Sequence, residues 1–211
     1  MDKNAHLYSY ESEMDSGGDI FASSVISQMM DYPNEYEVIG FDSGMTEGFD
    51  RVKEARNPNI VYNANYLDTP LNYAIDTMNE RYEEMNSAVN PLKRAKDFKR
   101  LVVVLEEWAI GHSEHRQELE RMIDQILRTG RTARVHLFIL STQVEVISRV
   151  RVKDCGIVIS FGDIDLNEAQ TLFHTVPPKN TFEPVSGRGW ISFNGAGVRM
   201  DPFQTYMYNK G

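Results

Sequence analysis

The chain has 211 residues, which suits one α/β domain with a full core and makes a second independent domain unexpected. Its 22 basic and 31 acidic residues leave a net charge of -9, opposite in sign to the field of a nucleic-acid groove, so no nucleic acid is expected as a partner. Cys155 is the single cysteine, which excludes an internal disulfide and fits a reducing compartment, and no apolar run approaches the ~20 residues of a membrane span.

His6-Leu-Tyr-Ser-Tyr10 alternates weakly and predicts a first strand, followed by a polar turn rich in carboxylates and glycine from Glu11 to Gly18. A helix is predicted from Asp19 to Met30. There Ile20, Phe21, Val25, Ile26, Met29 and Met30 recur near a 3.6 period, and the Asp19 carboxylate can accept the free backbone N–H groups of the first turn. Strand, glycine-containing loop and helix in that order are the setting a phosphate-binding loop requires. Tyr36-Glu-Val-Ile-Gly-Phe41 predicts a second buried strand and Asn59-Ile-Val-Tyr62 a short third. From Thr69 to about Lys96 the spacing of Leu71, Ala74, Met78, Tyr82 and Met85 predicts a helix that Pro91 kinks or interrupts. Its Met and Tyr stripe reads as core, and Glu80, Glu83 and Glu84 read as a solvated face.

Arg100-Leu-Val-Val-Val-Leu-Glu-Glu-Trp108 is the stretch around which the chain is organised: five apolar residues in a row, then two carboxylates. A short unbroken apolar run marks a strand buried on both faces of a parallel sheet. Glu106 and Glu107 then stand at its carboxyl end, the edge where open α/β sheets keep their ligands, and an acidic pair there suits a site that holds Mg²⁺ and orients a water. A helix from Ser113 to Thr129 follows, stopped at Gly130, and then a strand Val135-His-Leu-Phe-Ile-Leu140 that ends in Ser141-Thr-Gln143. Further on come a strand at Gly156–Phe161, a helix from about Asn167 to His174, a Pro177-Pro178 loop, and two closing strands around Gly189–Phe193 and Val198–Tyr206. The alternation predicts a mostly parallel sheet covered by helices. His6, His112, His115, His136 and His174 show no metal-ligand spacing, and Cys155 reads as a core thiol.

These residues resemble the FtsK/SpoIIIE-type RecA-like ATPase domains. Leu101 to Ala109 is similar to the Walker B strand of that family, and Arg128-Thr-Gly-Arg-Thr-Ala-Arg-Val-His-Leu-Phe-Ile-Leu-Ser-Thr-Gln143 to its helix end and sensor strand. Met78-Asn-Glu-Arg-Tyr82, Val146-Ile147, Ala169-Gln-Thr-Leu172 and Gly187-Arg-Gly-Trp-Ile191 continue the likeness over nearly the whole chain. The resemblance implies a RecA-like P-loop NTPase fold: a mostly parallel central sheet flanked by helices, with antiparallel C-terminal strands, in one domain over 1–211. It implies further that Glu106 and Glu107 stand at the Walker B positions, that Gln143 is the sensor, and that Arg128 and Arg131 face a neighbouring domain.

The departures from the pattern are concentrated where the phosphates would bind. Laid on G-T-T-G-S-G-K-S, the loop reads Ser12-Glu-Met-Asp-Ser-Gly-Gly-Asp19, with Gly18 at the place of the phosphate-gripping Lys and Asp19 at that of the Mg²⁺-binding Ser/Thr. Only Gly17 is kept. Phosphoryl transfer depends on positioning and charge neutralisation, and this loop reverses the sign. A carboxylate ~4 Å from a phosphate oxygen costs roughly 4 kcal/mol at an effective dielectric of 20, about a thousandfold in affinity. The degenerate loop Ser12, Asp15, Ser16, Gly17, Gly18 and Asp19, with Glu11 and Glu13 near, is therefore expected to be stabilised empty by its own carboxylates. Glu106, Glu107 and Gln143 are then vestigial, no cofactor is expected, Mg-ATP binds weakly if at all, and no metal site is expected.

A RecA-like domain without its P-loop is most similar to the terminal, degenerate module of EssC/YukB/EccC-type coupling proteins of type VII secretion. That resemblance implies a docking and regulatory module of protein export, excised from a larger chain and lying in the cytoplasm of a bacterium, with the membrane reached only through the parent chain. Its implied partners are the other ATPase domains of that parent and secreted WXG100-type substrates or their C-terminal signals, with Trp108 and Trp190 as candidate contacts. The alternative is an active ATP-driven motor that translocates protein or DNA, and a free-standing adaptor unrelated to secretion is a third possibility.

Overall fold

In the computed structural model, which describes residues 6–12, 16–41, 60–61, 68–106, 110, 113–142, 149–176, 185–193 and 200–205, eight strands form a single sheet. They are β1 (Leu7–Glu11), β2 (Tyr36–Phe41), β3 (Ile60–Val61), β4 (Arg100–Glu106), β5 (Val135–Ser141), β6 (Ile157–Phe161), β7 (Arg188–Phe193) and β8 (Asp201–Gln204). Across the sheet the order is β3-β2-β4-β5-β1-β6-β7-β8. Every pairing from β3 to β6 is parallel, and β7 and β8 are antiparallel to their neighbours. The expected α/β class, with antiparallel closing strands, is what the chain adopts.

Among the described residues the helices between these strands are α1 (Gly18–Met30), α2 (Asp68–Ser87), α3 (Pro91–Asp97), α4 (Arg116–Thr129), α5 (Arg149–Asp154) and α6 (Leu166–Phe173). All seven residues of β4 are buried, because the strand is covered on both faces. Leu101, Val103 and Leu105 pack with Leu71, Ala74 and Met78 of α2 and Ile123 and Ile126 of α4. Val102 and Val104 pack on the other side with Ala22 and Ile26 of α1 and with Phe138 of β5. Each such side chain contributes about 1.5–3 kcal/mol relative to exposure, so the unbroken apolar run is what fixes this strand at the centre of the core.

Several boundaries differ from the sequence expectation for local reasons. The helix after β1 begins at Gly18, one residue early, with Gly17 as its N-cap in the left-handed region (φ 102). Of the two expectations at Pro91 the interruption is what occurs: α2 ends at Ser87 and Pro91 opens α3, where its missing N–H leaves no intrahelical bond unmade. Gly130 ends α4 at an ordinary right-handed φ of -62, and its glycine is required by close approach instead: a Cβ there would meet Val135 O at 2.5 Å and Ile126 O at 2.6 Å. His174 closes α6 in the left-handed region (φ 52).

Candidate functional site

β1 lies between β5 and β6, and the carboxyl ends of β1, β5 and β4 therefore meet at one edge of the sheet. Glu11 is the last residue of β1, and Glu106 ends β4 opposite Leu140 of β5. Glu106 is buried, at 5% exposure, and belongs to the same alternating face of β4 as Val102 and Val104, the face that α1 covers. Asp15, Glu107, Trp108 and Gln143 lie outside the described residues.

The loop between β1 and α1 is organised by Glu11, not by Asp19. One carboxylate oxygen of Glu11 accepts hydrogen bonds from the Ser16 hydroxyl at 3.0 Å, from the Gly17 N–H at 3.2 Å and from the Gly18 N–H at 3.3 Å. Asp19 had been expected to satisfy the first-turn N–H groups, but its carboxylate accepts only from the N–H of Ile20, at 2.7 Å, among the described contacts. The reason is the helix boundary: with Gly17 as the cap, Asp19 stands inside the first turn, its side chain set past the amides at the helix mouth. Helix-start amides bind anions because their N–H groups are unsatisfied and the dipole is positive there. In this chain the anion is internal.

Burial raises the pKa of Glu11 above the ordinary carboxylate value, and the nearby Asp19 charge raises it further; the bonds from Ser16, Gly18 and Gly17 pull it down without reversing the direction. Two like charges and partial desolvation thus outweigh the amide cradle. A cavity of about 30 Å³ remains beside Glu11, lined also by Ser9, Gly18, Asp19, Ser141 and Thr142. It has room for about one water, whereas small-molecule sites run to roughly 300–1,000 Å³. Among the described residues no group of three or more His, Cys, Asp or Glu is placed to hold a metal ion.

The loop is pinned from the other side by the start of the C-terminal hairpin. The Gly187 N–H donates to Ser16 O at 2.6 Å, and the Ser12 N–H and hydroxyl both donate to Phe161 O, at 3.1 and 2.9 Å. A Cβ on Gly17 would lie 2.8 Å from Gly187 N, so the approach of the hairpin requires glycine at the cap, while Gly187 is itself left-handed (φ 83). The Gly187 carbonyl in turn accepts from the Thr205 N–H at 2.8 Å. Of the loop residues singled out from the sequence, then, Ser12, Ser16, Gly17, Gly18 and Asp19 come together at the β1 edge.

Arg128 and Arg131 are exposed and stand elsewhere. They follow α4 to the sheet edge where β4 and β5 begin, opposite the edge that carries Glu11 and Glu106. Trp190, at 4% exposure, is core, which removes it as a docking contact. Cys155 is buried, as expected of a core thiol. Sequence reasoning placed Glu11 only among the loop's neighbouring charges. The available signal was its position at the end of β1, since a carboxylate there has the reach to turn back onto the amides six and seven residues later.

No family model matches the chain, and no curated protein matches it in sequence. Solved structures do match in fold. The cytoplasmic domain of the Thermomonospora curvata type VII secretion ATPase EccC superposes with a TM-score of 0.69 at 18% identity, over 97% of this chain and 26% of that one. ATPases 2 and 3 of the same T. curvata protein, in complex with a signal sequence peptide, give 0.62 at 13% identity over 94% and 38%. The pCW3 conjugation coupling protein TcpA, as a monomer with ATPγS, gives 0.74 at 15% identity over 97% and 61%. The chain spans about a quarter of the EccC cytoplasmic domain, and what it shares with these proteins is their ATPase-domain fold, the one implied by its FtsK/SpoIIIE-type motifs.

Proposed function

We propose that this chain is a nucleotide-independent module of FtsK/SpoIIIE type that works by docking in a type VII secretion coupling protein. The observation that carries this reading is the Glu11 carboxylate on the Gly17 and Gly18 amides, where an ATPase of this fold would seat a phosphate. A triphosphate would have to displace a like charge and find no lysine at position 18. Glu106, buried at the end of β4, then serves as a strand-end carboxylate with no ion to hold. The domain spans 1–211 within a longer, membrane-anchored bacterial parent, on the cytoplasmic side. Among the described residues no helix is long and apolar enough to cross a membrane.

In this reading the partners are the sister ATPase domains and the signals of WXG100-type secreted substrates. The signal peptide held by EccC ATPases 2 and 3 supports the second of these. Exposed Arg128 and Arg131, on the sheet edge away from the chain's own loop, support the first: that edge is the surface a neighbouring domain would meet. The direct test is a thermal-shift titration with Mg-ATP and a phosphate-release assay on the purified chain. No ligand-dependent rise in Tm and no turnover are expected, while a rise that grows with ligand concentration overturns the reading. A fluorescent peptide carrying a WXG100-type C-terminal signal should bind with or without nucleotide.

The second reading, an ATP-driven motor, draws on the match to TcpA with ATPγS. It requires micromolar Mg-ATP affinity, and the same titration separates the two.

A further inference from the structure

The loop that would cradle a nucleotide is already held at both ends by contacts of the chain itself. Glu11 gathers the Ser16 hydroxyl and the Gly17 and Gly18 amides onto one oxygen. Ser16 passes the connection on, its carbonyl receiving the Gly187 N–H at 2.6 Å, and Gly187 receives the Thr205 N–H at 2.8 Å and hydroxyl at 3.3 Å. The path therefore runs from the end of β1, through the loop, to the residue that follows β8. We propose that Glu11 is a built-in surrogate for a bound phosphate, which keeps the loop closed and joined to the C-terminal hairpin with no ligand present.

The proposal rests on the nucleotide-independent reading above and adds a regulatory consequence: the hairpin of β7 and β8 is fixed in place permanently, where in a nucleotide-dependent domain its anchorage would follow the ligand. A carboxyl group at the end of β1 suits this role because a single oxygen of it accepts from three donors at once, the Ser16 hydroxyl and the Gly17 and Gly18 amides. A single-residue replacement should therefore loosen the loop and its link to Gly187, while β7 stays paired with β6.

The experiment is amide hydrogen exchange on the full chain, comparing wild type with Glu11→Ala, with and without tens of millimolar inorganic phosphate. In Glu11→Ala the Gly17, Gly18 and Gly187 amides should exchange about tenfold faster or more, the change expected on losing a hydrogen bond to a charged group. Phosphate should restore much of that protection in the variant and leave wild type unchanged. Glu11→Gln, which keeps an acceptor oxygen, should exchange nearly as wild type. If Glu11→Ala does not fold, Glu11→Asp, one methylene short of the amides, serves the same comparison. Wild-type protection in the alanine or aspartate variant, or lost protection that phosphate does not restore, overturns the surrogate. Tight Mg-ATP binding by wild type would instead overturn the functional reading beneath it, so the two failures are distinguishable.

Discussion

At Glu11 the same carboxylate that organises the loop is held against its own ionisation by burial and by Asp19. Its pKa is raised on folding, so its contribution to stability is complete below the ordinary carboxylate pKa and is lost as the pH rises through the folded-state value. Glu11→Gln keeps an acceptor for the amides and removes the charge. Its Tm should therefore exceed that of wild type by a few °C near pH 7–8, and the gap should close as the pH is lowered toward 4; scanning calorimetry across pH reads both. A Tm below wild type at pH 8 would mean that the charge itself stabilises the loop.

The buried histidines run the opposite way. His6 is a neutral ring with both nitrogens engaged: Nδ1 accepts from the Leu137 N–H at 3.0 Å, and Nε2 donates to Leu127 O at 3.1 Å. His136, 5.9 Å away by ring centroids, has no hydrogen-bond partner for either nitrogen among the described residues. Burial lowers His6 to about 4, helped by Arg131, and lowers His136 to about 3, helped by His6, Arg100, Arg134 and Arg131. Folded-state pKa values below the unfolded 6.5 mean that stability is present above that pH and is lost as the pH falls through the range from 6.5 toward 3. His136→Leu should flatten the acid limb of a urea-midpoint against pH curve. It should also gain about 1 kcal/mol at pH 7, since an unsatisfied buried polar group costs about 1–3 kcal/mol.

Among the elements, α6 shows how much a short helix depends on its first turn. Asp165 accepts from the Glu168 N–H at 2.8 Å, Glu168 accepts from the Asp165 N–H at 2.7 Å, and the other Glu168 oxygen takes the buried Tyr10 hydroxyl at 2.6 Å. The capping box thus ties α6 to β1. Asp165→Ala should cost about 1 kcal/mol, or about 2–4 °C in Tm for a chain of this size, measured by thermal unfolding. The same element marks a limit of sequence reading. The run Ala169-Gln-Thr-Leu172 and the apolar spacing located the helix, whereas the Tyr10 contact spans 158 positions and has no local trace. β4 and β5 were legible because burial on both faces leaves an unbroken apolar run. The start of α1 was misplaced by one residue because Asp is a good opening residue in general, and only the meeting of Gly17 with Gly187 makes glycine the cap here.

For the whole molecule, the mostly parallel, helix-covered sheet was visible from the alternation of strands and helices, but the order of its strands and the internal occupant of the helix-start amides were not. Charge signs along the loop forecast repulsion of a phosphate; which carboxylate turns inward depends on the geometry at the end of β1. The two edges of the sheet differ, with Glu11, Asp19 and Glu106 at one and Arg128 and Arg131 at the other. Because both arginines are exposed, the double change Arg128→Glu and Arg131→Glu should leave the chemical-denaturation midpoint near wild type, within about 0.5 kcal/mol. It should abolish co-purification with a sister ATPase domain if that edge is the docking edge. Retained co-purification would place the contact elsewhere.

Gly18 sits so close to Glu11 that a Cβ added to it would fall 3.1 Å from the Glu11 Cβ and 3.2 Å from its carboxylate carbon. A lysine at position 18 would therefore press on the Glu11 side chain, which would have to give way by a few tenths of an ångström. Gly18→Lys alone should accordingly lower Tm more than the same change made together with Glu11→Ala, which thermal unfolding of the two variants reads directly. On the proposed reading, one glutamate would do two things at once: occupy the helix-start amides and crowd the position where a lysine would have to return.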